Sequence, residues 1–277
     1  MEKSKSDINR RQFLKNGAVA VAALGAVGVG VNYLKYFSEQ NNKTLLRPPG
    51  AVDENDFIYA CIKCGLCVQI CPVEAIKLAG ISDGLSYGTP FIDTREQACD
   101  FSCDAMQCVE TCPTAALDFL SFKKAGENAL IEFQKDNPVP GPDYNPFIVQ
   151  SLAMKATTKM GIAVTNHETC LARNGKSFKG IPREDGFKGV YRSPNPKRKE
   201  RKASLVNDHQ FDRELCDLCV TECPIGDTAI IMEEKTNRRG QRFWRPIVLD
   251  GCTGCGVCEM VCPTTPSSIV IEKLERA

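Results

Sequence analysis

The sequence predicts an α+β chain built from one repeated half-unit used four times, set behind an N-terminal leader. Three observations predict it. Of the sixteen cysteines in 277 residues, fifteen fall into four tight groups, each ending in Cys-Pro. A short apolar run follows every Cys-Pro (AIKLA, ALDFL, AIIME and SIVIE), as the strand closing a repeat does. Ahead of the first group, residues 8–31 read INRRQFLKNGAVAVAALGAVGVGV, two arginines before a mildly apolar stretch.

The leader comes first. Lys3, Lys5, Arg10, Arg11 and Lys15 form a basic start, and Asn16 to Leu34 run nineteen residues without a charge. That length borders on a membrane span of about twenty residues, but alanine and glycine dominate it and insert poorly. NRRQFLK resembles the twin-arginine export signal, which implies translocation of an already folded protein to the periplasm by the twin-arginine translocase. Residues 31–50 contain no A-x-A cleavage site. Residues 1–45 are therefore read as a signal peptide or an uncleaved anchor tethering the chain to the inner membrane.

The cysteines decide the chemistry. The first group is Cys61, Cys64, Cys67 and Cys71; the second is Cys99, Cys103, Cys108 and Cys112. The third is Cys216, Cys219 and Cys223, with Cys170 as its distant fourth member; the fourth is Cys252, Cys255, Cys258 and Cys262. The first and fourth match C-x2-C-x2-C-x3-C-P, the bacterial ferredoxin run. Three thiolates on one tight loop reach three irons of a cubane, while the fourth starts the next turn and points elsewhere. Gly65, Gly254 and Gly256 let the backbone curl close, and the proline redirects the chain. A disulfide framework does not call for one spacing repeated four times. Structural zinc leaves the extra cysteine unexplained, and a thioredoxin-type site wants a single C-x-x-C. Four [4Fe-4S] clusters use all sixteen cysteines.

The predicted architecture is two ferredoxin-like modules, four [4Fe-4S] half-units in all. Their boundaries are 46–122 (groups one and two) and 168–277 (groups three and four), with a linker at 123–167. The small apolar cores make the clusters a large share of the folding free energy, so the apo-protein is expected to be largely unfolded. DNPVPGPDYNP at 136–146 reads as proline- and glycine-rich linker. An insertion at 173–202 carries eleven Lys or Arg against three acids, a net charge of +8. It reads as a solvated loop, or as a docking surface for an acidic redox partner or anionic lipid.

Overall, 35 basic residues face 34 acidic ones, which gives no support to nucleic-acid binding. There is no C-x-x-C-H, no P-loop and no G-x-G-x-x-G after a strand. His167 and His209 read as surface residues, and Trp244 as packing on a strand edge. No catalytic residue and no substrate site is predicted: the chain reads as an electron-transfer component.

Beyond the cysteines, LRPPGA (46–51), GLSYGTPF (84–91), KMGIAV (159–164) and CLARNG (170–175) resemble the MauM/NapG family of ferredoxin-type proteins. The resemblance implies a quinol dehydrogenase component working beside a NapH-like membrane protein that oxidises quinol. Electrons would pass towards periplasmic nitrate reductase through cytochrome partners, as part of anaerobic nitrate respiration. It implies as ligand sets the four consecutive groups named above, with Cys170 completing the third; spacing alone leaves open which fourth cysteine crosses to which cluster. The second group has one residue too many between Cys99 and Cys103, so that loop must bulge. The alternatives are an iron–sulfur subunit of another exported oxidoreductase, acting on nitrite or sulfur compounds, and a non-catalytic assembly or scaffold factor.

Overall fold

The structure, a computed structural model, describes residues 45–103, 106–137, 141, 144–194, 202–236, 240 and 242–274. The leader and residues 195–201 of the basic insertion lie outside the described residues. Among the described residues no helix is long and apolar enough to cross a membrane.

The repeat is visible as four short helices of four residues each. Following a first helix α1 (Glu54–Ala60), they are α2 (Leu66–Gln69), α3 (Gln107–Glu110), α6 (Leu218–Thr221) and α7 (Val257–Met260). Each helix carries the third cysteine of its group, and the fourth follows just beyond its C-terminus. Three of the four apolar runs become strands as expected: β1 (Ile76–Leu78), β8 (Ile230–Thr236) and β10 (Ile269–Lys273). The second run departs. After a single bridge from Leu117 to Ala51, Asp118 accepts hydrogen bonds from the amides of Leu120 and Ser121. That N-cap starts the 18-residue helix α4 (Phe119–Asp136) instead of a strand.

The segment expected to be linker, 123–167, is largely built structure. Helix α4 packs against α5 (Pro146–Ala156), which Asn145 caps and Pro146 opens. At the close approach Gly126 lies beside Gln150 and Met154, and a Cβ there would meet the Gln150 carbonyl oxygen at 3.3 Å. After the hairpin, β3 (Gly161–Thr165) pairs antiparallel with β10, Ile269 opposite Thr165. The linker therefore supplies a strand to the second half. The remaining sheets are also two-stranded and antiparallel: β1 with β2 (Pro90–Ile92), and β8 with β9 (Arg242–Val248). Trp244 sits in β9, 38% exposed.

The basic insertion is folded where it is described. It holds β4 (Phe178–Gly180) and β5 (Val190–Tyr191), which pair with β7 (Phe211–Arg213) and β6 (Ser204–Leu205). Several of its side chains are pegs into the rest of the molecule. Arg183 donates to the carbonyls of Arg95 and Met260, and Arg192 donates to that of Phe101. The Tyr191 hydroxyl donates to Glu222, which is fully buried. His209 is half-buried, with its ring edge-on to Tyr191.

The two halves share one core. A single buried apolar cluster runs from Phe57, Ala98 and Met106 in the first to Val257, Met260 and Val261 in the second. Polar contacts reinforce it around α7. The Arg95 guanidinium donates to the carbonyls of Glu259 (2.6 Å), Cys262 (2.9 Å) and Thr264 (2.9 Å), taking up acceptors that the end of a short helix leaves free. The Glu259 carboxylate accepts from the Thr94 hydroxyl and the Ile271 amide. The Ala98 amide donates to the Met260 sulfur.

Replacing Arg95 with Met keeps the volume but removes the side-chain donor from three carbonyls. Denaturation of the cluster-loaded protein is expected to show a loss of about 3 kcal/mol. The glycines give a second outcome. Gly65 has φ +74° with nothing within 4 Å of a Cβ, whereas at Gly256 (φ +89°) a Cβ would lie 2.2 Å from Thr94 Cγ2. In the same measurement, Gly65→Ala is expected to cost about 1 kcal/mol, and Gly256→Ala about 3 kcal/mol or more.

Candidate iron–sulfur centres

Three of the four cysteine loops are shaped by residues in the left-handed region. Lys63 and Gly65 adopt it in the first group, and Gly254 and Gly256 in the fourth. In the second group Phe101 and Met106 do so with side chains, and Met106, Gly65 and Gly256 all stand at the N-caps of their short helices. The expected bulge between Cys99 and Cys103 is present. Phe101 takes φ +55°, and the Asp100 carboxylate accepts from the Ser102 and Arg192 amides, holding the extra residue out of the loop.

All sixteen cysteines are free thiols. They are brought together in four sets of four, but not as consecutive groups. Burial, then the charges of Cys61, Cys64 and Cys112, pushes the Cys67 thiol up to about 11. Those same four cysteines line one small cavity. Cys108 is pushed up by burial, then by Cys103, Cys71 and Cys67, and Cys99 by burial, then by Cys103 and Cys108. The second half repeats the exchange. Cys223, Cys252, Cys255 and Cys258 line a second small cavity, and burial with Cys223 and Cys252 pushes Cys255 up to about 12. Cys216 is pushed up to about 12 by burial, with Cys262 and Cys170 adding to it.

The sets are therefore Cys61, Cys64, Cys67 with Cys112; Cys99, Cys103, Cys108 with Cys71; Cys170, Cys216, Cys219 with Cys262; and Cys252, Cys255, Cys258 with Cys223. This corrects the consecutive grouping that the resemblance implied. The cause is geometric: the fourth cysteine lies past the end of its four-residue helix and faces the neighbouring loop. Cys170, distant in sequence, does reach Cys216 and Cys219. Asn174 fixes its turn by donating to the carbonyls of Glu168 and Cys170, and the Cys216 amide donates to the Lys176 carbonyl.

The donor chemistry fits iron–sulfur clusters. Gathering four thiols in a buried place favours their neutral form, so four thiolates hold together only around positive charge, which iron supplies. Among the described residues no three His, Cys, Asp or Glu side chains are close enough to share a single metal ion.

Cys262 is the exception among the perturbed thiols. Burial pushes it up, but hydrogen bonds from Thr264, Ser267 and the amides of Thr264 and Ser268 outweigh that and leave it below the usual cysteine range. The Thr264 hydroxyl lies 3.2 Å from Cys262 Sγ, while Ser268 donates its amide to Thr264 at 2.8 Å. Sequence reasoning missed these residues; the hydroxyl-rich TTPSS after the last Cys-Pro was the available signal. It also missed Arg95, which nothing in its local sequence marks.

The halves meet at the cysteines themselves. The Cys99 amide donates to the Cys255 carbonyl at 3.0 Å. Within each half, Cys67 acts on Cys108 and Cys219 on Cys258, so neighbouring sets adjoin. Exposure differs along the molecule: Cys64 alone is exposed, whereas Cys223, Cys255 and Cys258 of one set are all buried.

The four family-like stretches lie in these same supports. Arg47 of LRPPGA, 4% exposed, donates to Glu54, to the Thr89 hydroxyl (2.8 Å) and to the Pro90 carbonyl (2.9 Å), the last two within GLSYGTPF. Burial pushes Glu54 up, but Arg47 and Lys273 outweigh it and hold the carboxyl below its usual range. In KMGIAV, Gly161 lies so close to β10 that a Cβ would meet the Glu272 carbonyl oxygen at 2.4 Å.

The 4Fe-4S dicluster domain family matches residues 60–116 and 213–265. Ferredoxin-type protein NapG of Escherichia coli (strain K12) is 31% identical over 278 residues, covering 99% of this chain and 90% of that protein. Methylamine utilization ferredoxin-type protein MauM of Methylorubrum extorquens is 32% identical over 265 residues, covering 95% and 87%. NapG of Haemophilus influenzae is 28% identical over 282 residues, covering 100% and 76%. No solved structure matches the chain significantly. Four cysteine groups within two dicluster domains, and likeness along almost its whole length, place it: this chain belongs to the NapG/MauM family of ferredoxin-type proteins, iron–sulfur electron carriers of redox chains.

Proposed function

We propose that the chain is a periplasmic polyferredoxin holding four [4Fe-4S] clusters on its sixteen cysteines, and that it works between a membrane quinol oxidase and nitrate reduction. The observation that carries this reading is the resolution of sixteen free thiols into four sets of four. When bound, each cluster takes up and releases one electron. The chain's own residues hold the thiolates, exclude water from the inner sets and give Cys262 its hydrogen bonds. The sets would follow one another in the order of their contacts: the Cys61 set, the Cys99 set, the Cys252 set and the Cys170 set. The Cys99–Cys255 hydrogen bond forms the middle junction.

The leader, read as a twin-arginine signal, would export the chain after its clusters are in place and keep it at the inner membrane if uncleaved. A NapH-like membrane protein would supply electrons from menaquinol, and periplasmic cytochromes or nitrate reductase subunits would accept them. The likeness to MauM supports a second destination, because that relative's name assigns it to methylamine utilization. The gene neighbourhood separates the two.

Anaerobic purification with iron and sulfide analysis is expected to give about sixteen iron atoms per chain. Zinc in their place, or disulfides without iron, would refute the reading. Double variants test the exchange of fourth cysteines. Cys64→Ser with Cys112→Ser touches one set and is expected to lose about four irons, whereas Cys64→Ser with Cys71→Ser touches two and loses about eight. Thr264→Val removes a hydrogen bond to Cys262, so potentiometric EPR is expected to find one cluster's midpoint shifted downward and the other three unmoved. For the route, a menaquinol analogue should reduce the protein only when the NapH-like partner is present.

A further inference from the structure

The loops around Cys64 present a large uncovered apolar surface. Ile62 (63% exposed), Leu66 (41%), Leu78 (47%), Ile81 (83%), Leu85 (79%) and Tyr87 (52%) all come from residues 62–87. Four of the six are brought together in space. Ile62, Leu66 and Leu78 line the cavity that holds Cys61, Cys64, Cys67 and Cys112, and Lys63 lies over the Tyr87 ring. Ile81 and Leu85 sit on either side of the kink at Asp83 and Gly84 in the 3-10 segment (Ile81–Ser86) that joins β1 to β2 and ends beside Tyr87. Exposed apolar side chains grouped in this way mark a contact site, and these lie around the one exposed cysteine of the sixteen.

Its rim says what covers it. Residues 54–90 hold four acids (Glu54, Asp56, Glu74, Asp83) and two bases (Lys63, Lys77). Glu54 is paired with Arg47 and Lys273, and Lys77 with Glu96, which leaves three acids against Lys63. A face meant for anionic lipid carries a basic rim, and this one does not. The approach of the chain adds a second argument. Leu46 bridges to Ile92 at the end of β2, so the chain joins the fold on the β1–β2 sheet that bears Leu78. The uncharged stretch 16–34 stands only ten residues before Leu45. If that stretch tethers the chain, it holds this sheet, and the patch on it, towards the membrane.

We infer that the Ile62–Tyr87 face is the docking site for a membrane-embedded redox protein presenting an apolar, weakly charged surface, with the Cys61 set as the first site reached. The inference rests on the electron-carrier reading above and adds the face and the end of the molecule at which the partner binds. The strongly basic insertion is then not the surface facing this partner.

The test uses the full-length, cluster-loaded chain co-expressed with its NapH-like membrane protein. A photo-crosslinking residue placed at Ile81 or Leu85 is expected to capture that protein, and one placed at Ile131 on α4 is expected not to. The pair Ile81→Glu and Leu85→Glu, on an exposed turn, is expected to leave iron content and EPR spectra unchanged while weakening the complex about tenfold or more. Leu152→Glu on α5 is the control and should leave it within about twofold. Capture from Ile131 alone, or full affinity in the double variant, would overturn the docking face while leaving the electron-carrier reading intact. Loss of binding to phosphatidylglycerol vesicles, or loss of a self-dimer, with the complex unaffected would also overturn it. No complex in the wild type would overturn the membrane-partner reading itself, and this inference with it.

Discussion

Sixteen thiols concentrated into four partly buried sets are the constraint on which everything else depends. Burial and mutual repulsion oppose their ionised form, as the raised Cys67, Cys216 and Cys255 thiols illustrate. Thiolates at such density are tenable only around compensating positive charge. That explains why the secondary structure around the cysteines is so slight, with four-residue helices and two-stranded sheets. Such elements bury little apolar surface and have weak intrinsic stability, so the ligated loops must themselves be the scaffold. It also fits the proposed export in folded form, in which every thiol would acquire its partner before meeting an oxidising compartment.

The second level of organisation is the fusion of two dicluster halves into one body. Its polar contacts cluster around α7. Arg95 closes three carbonyls at its end, Glu259 ties it to Thr94 and β10, and Arg183 of the insertion donates to Met260. The approach is so close that a Cβ on Gly256 would lie 2.2 Å from Thr94 Cγ2. Cys99 and Cys255 are joined by a backbone hydrogen bond as part of the same junction. The contacts that make the halves one body thus also set their inner cysteine sets side by side.

The family-like stretches acquire physical meaning from this arrangement. LRPPGA and GLSYGTPF are two sides of one buried arginine site, since Arg47 of the first is held by Thr89 and Pro90 of the second. CLARNG is the turn that brings a distant cysteine to its set, fixed by Asn174. The insertion that reads as a charged loop is in part a strap, with Arg183, Tyr191 and Arg192 anchored on both halves.

The sequence by itself determined the local chemistry: which residues are thiol donors, where each loop turns, and that one half-unit recurs. Those properties are carried by spacing of a few residues and by turn-forming types, and they survive without knowledge of what lies opposite. The second apolar run was misread as a strand, and 123–167 as linker, because a cap at Asp118 and packing of α4 on α5 decide those elements. Only the tertiary structure decided that Cys112 joins Cys61 and that Cys223 joins Cys252. It also decided that Cys99 adjoins Cys255, and that an apolar face surrounds Cys64. Each of these depends on the direction in which a short helix releases the chain, or on partners more than a hundred residues away. Cysteine spacing, a local quantity, has no term for either.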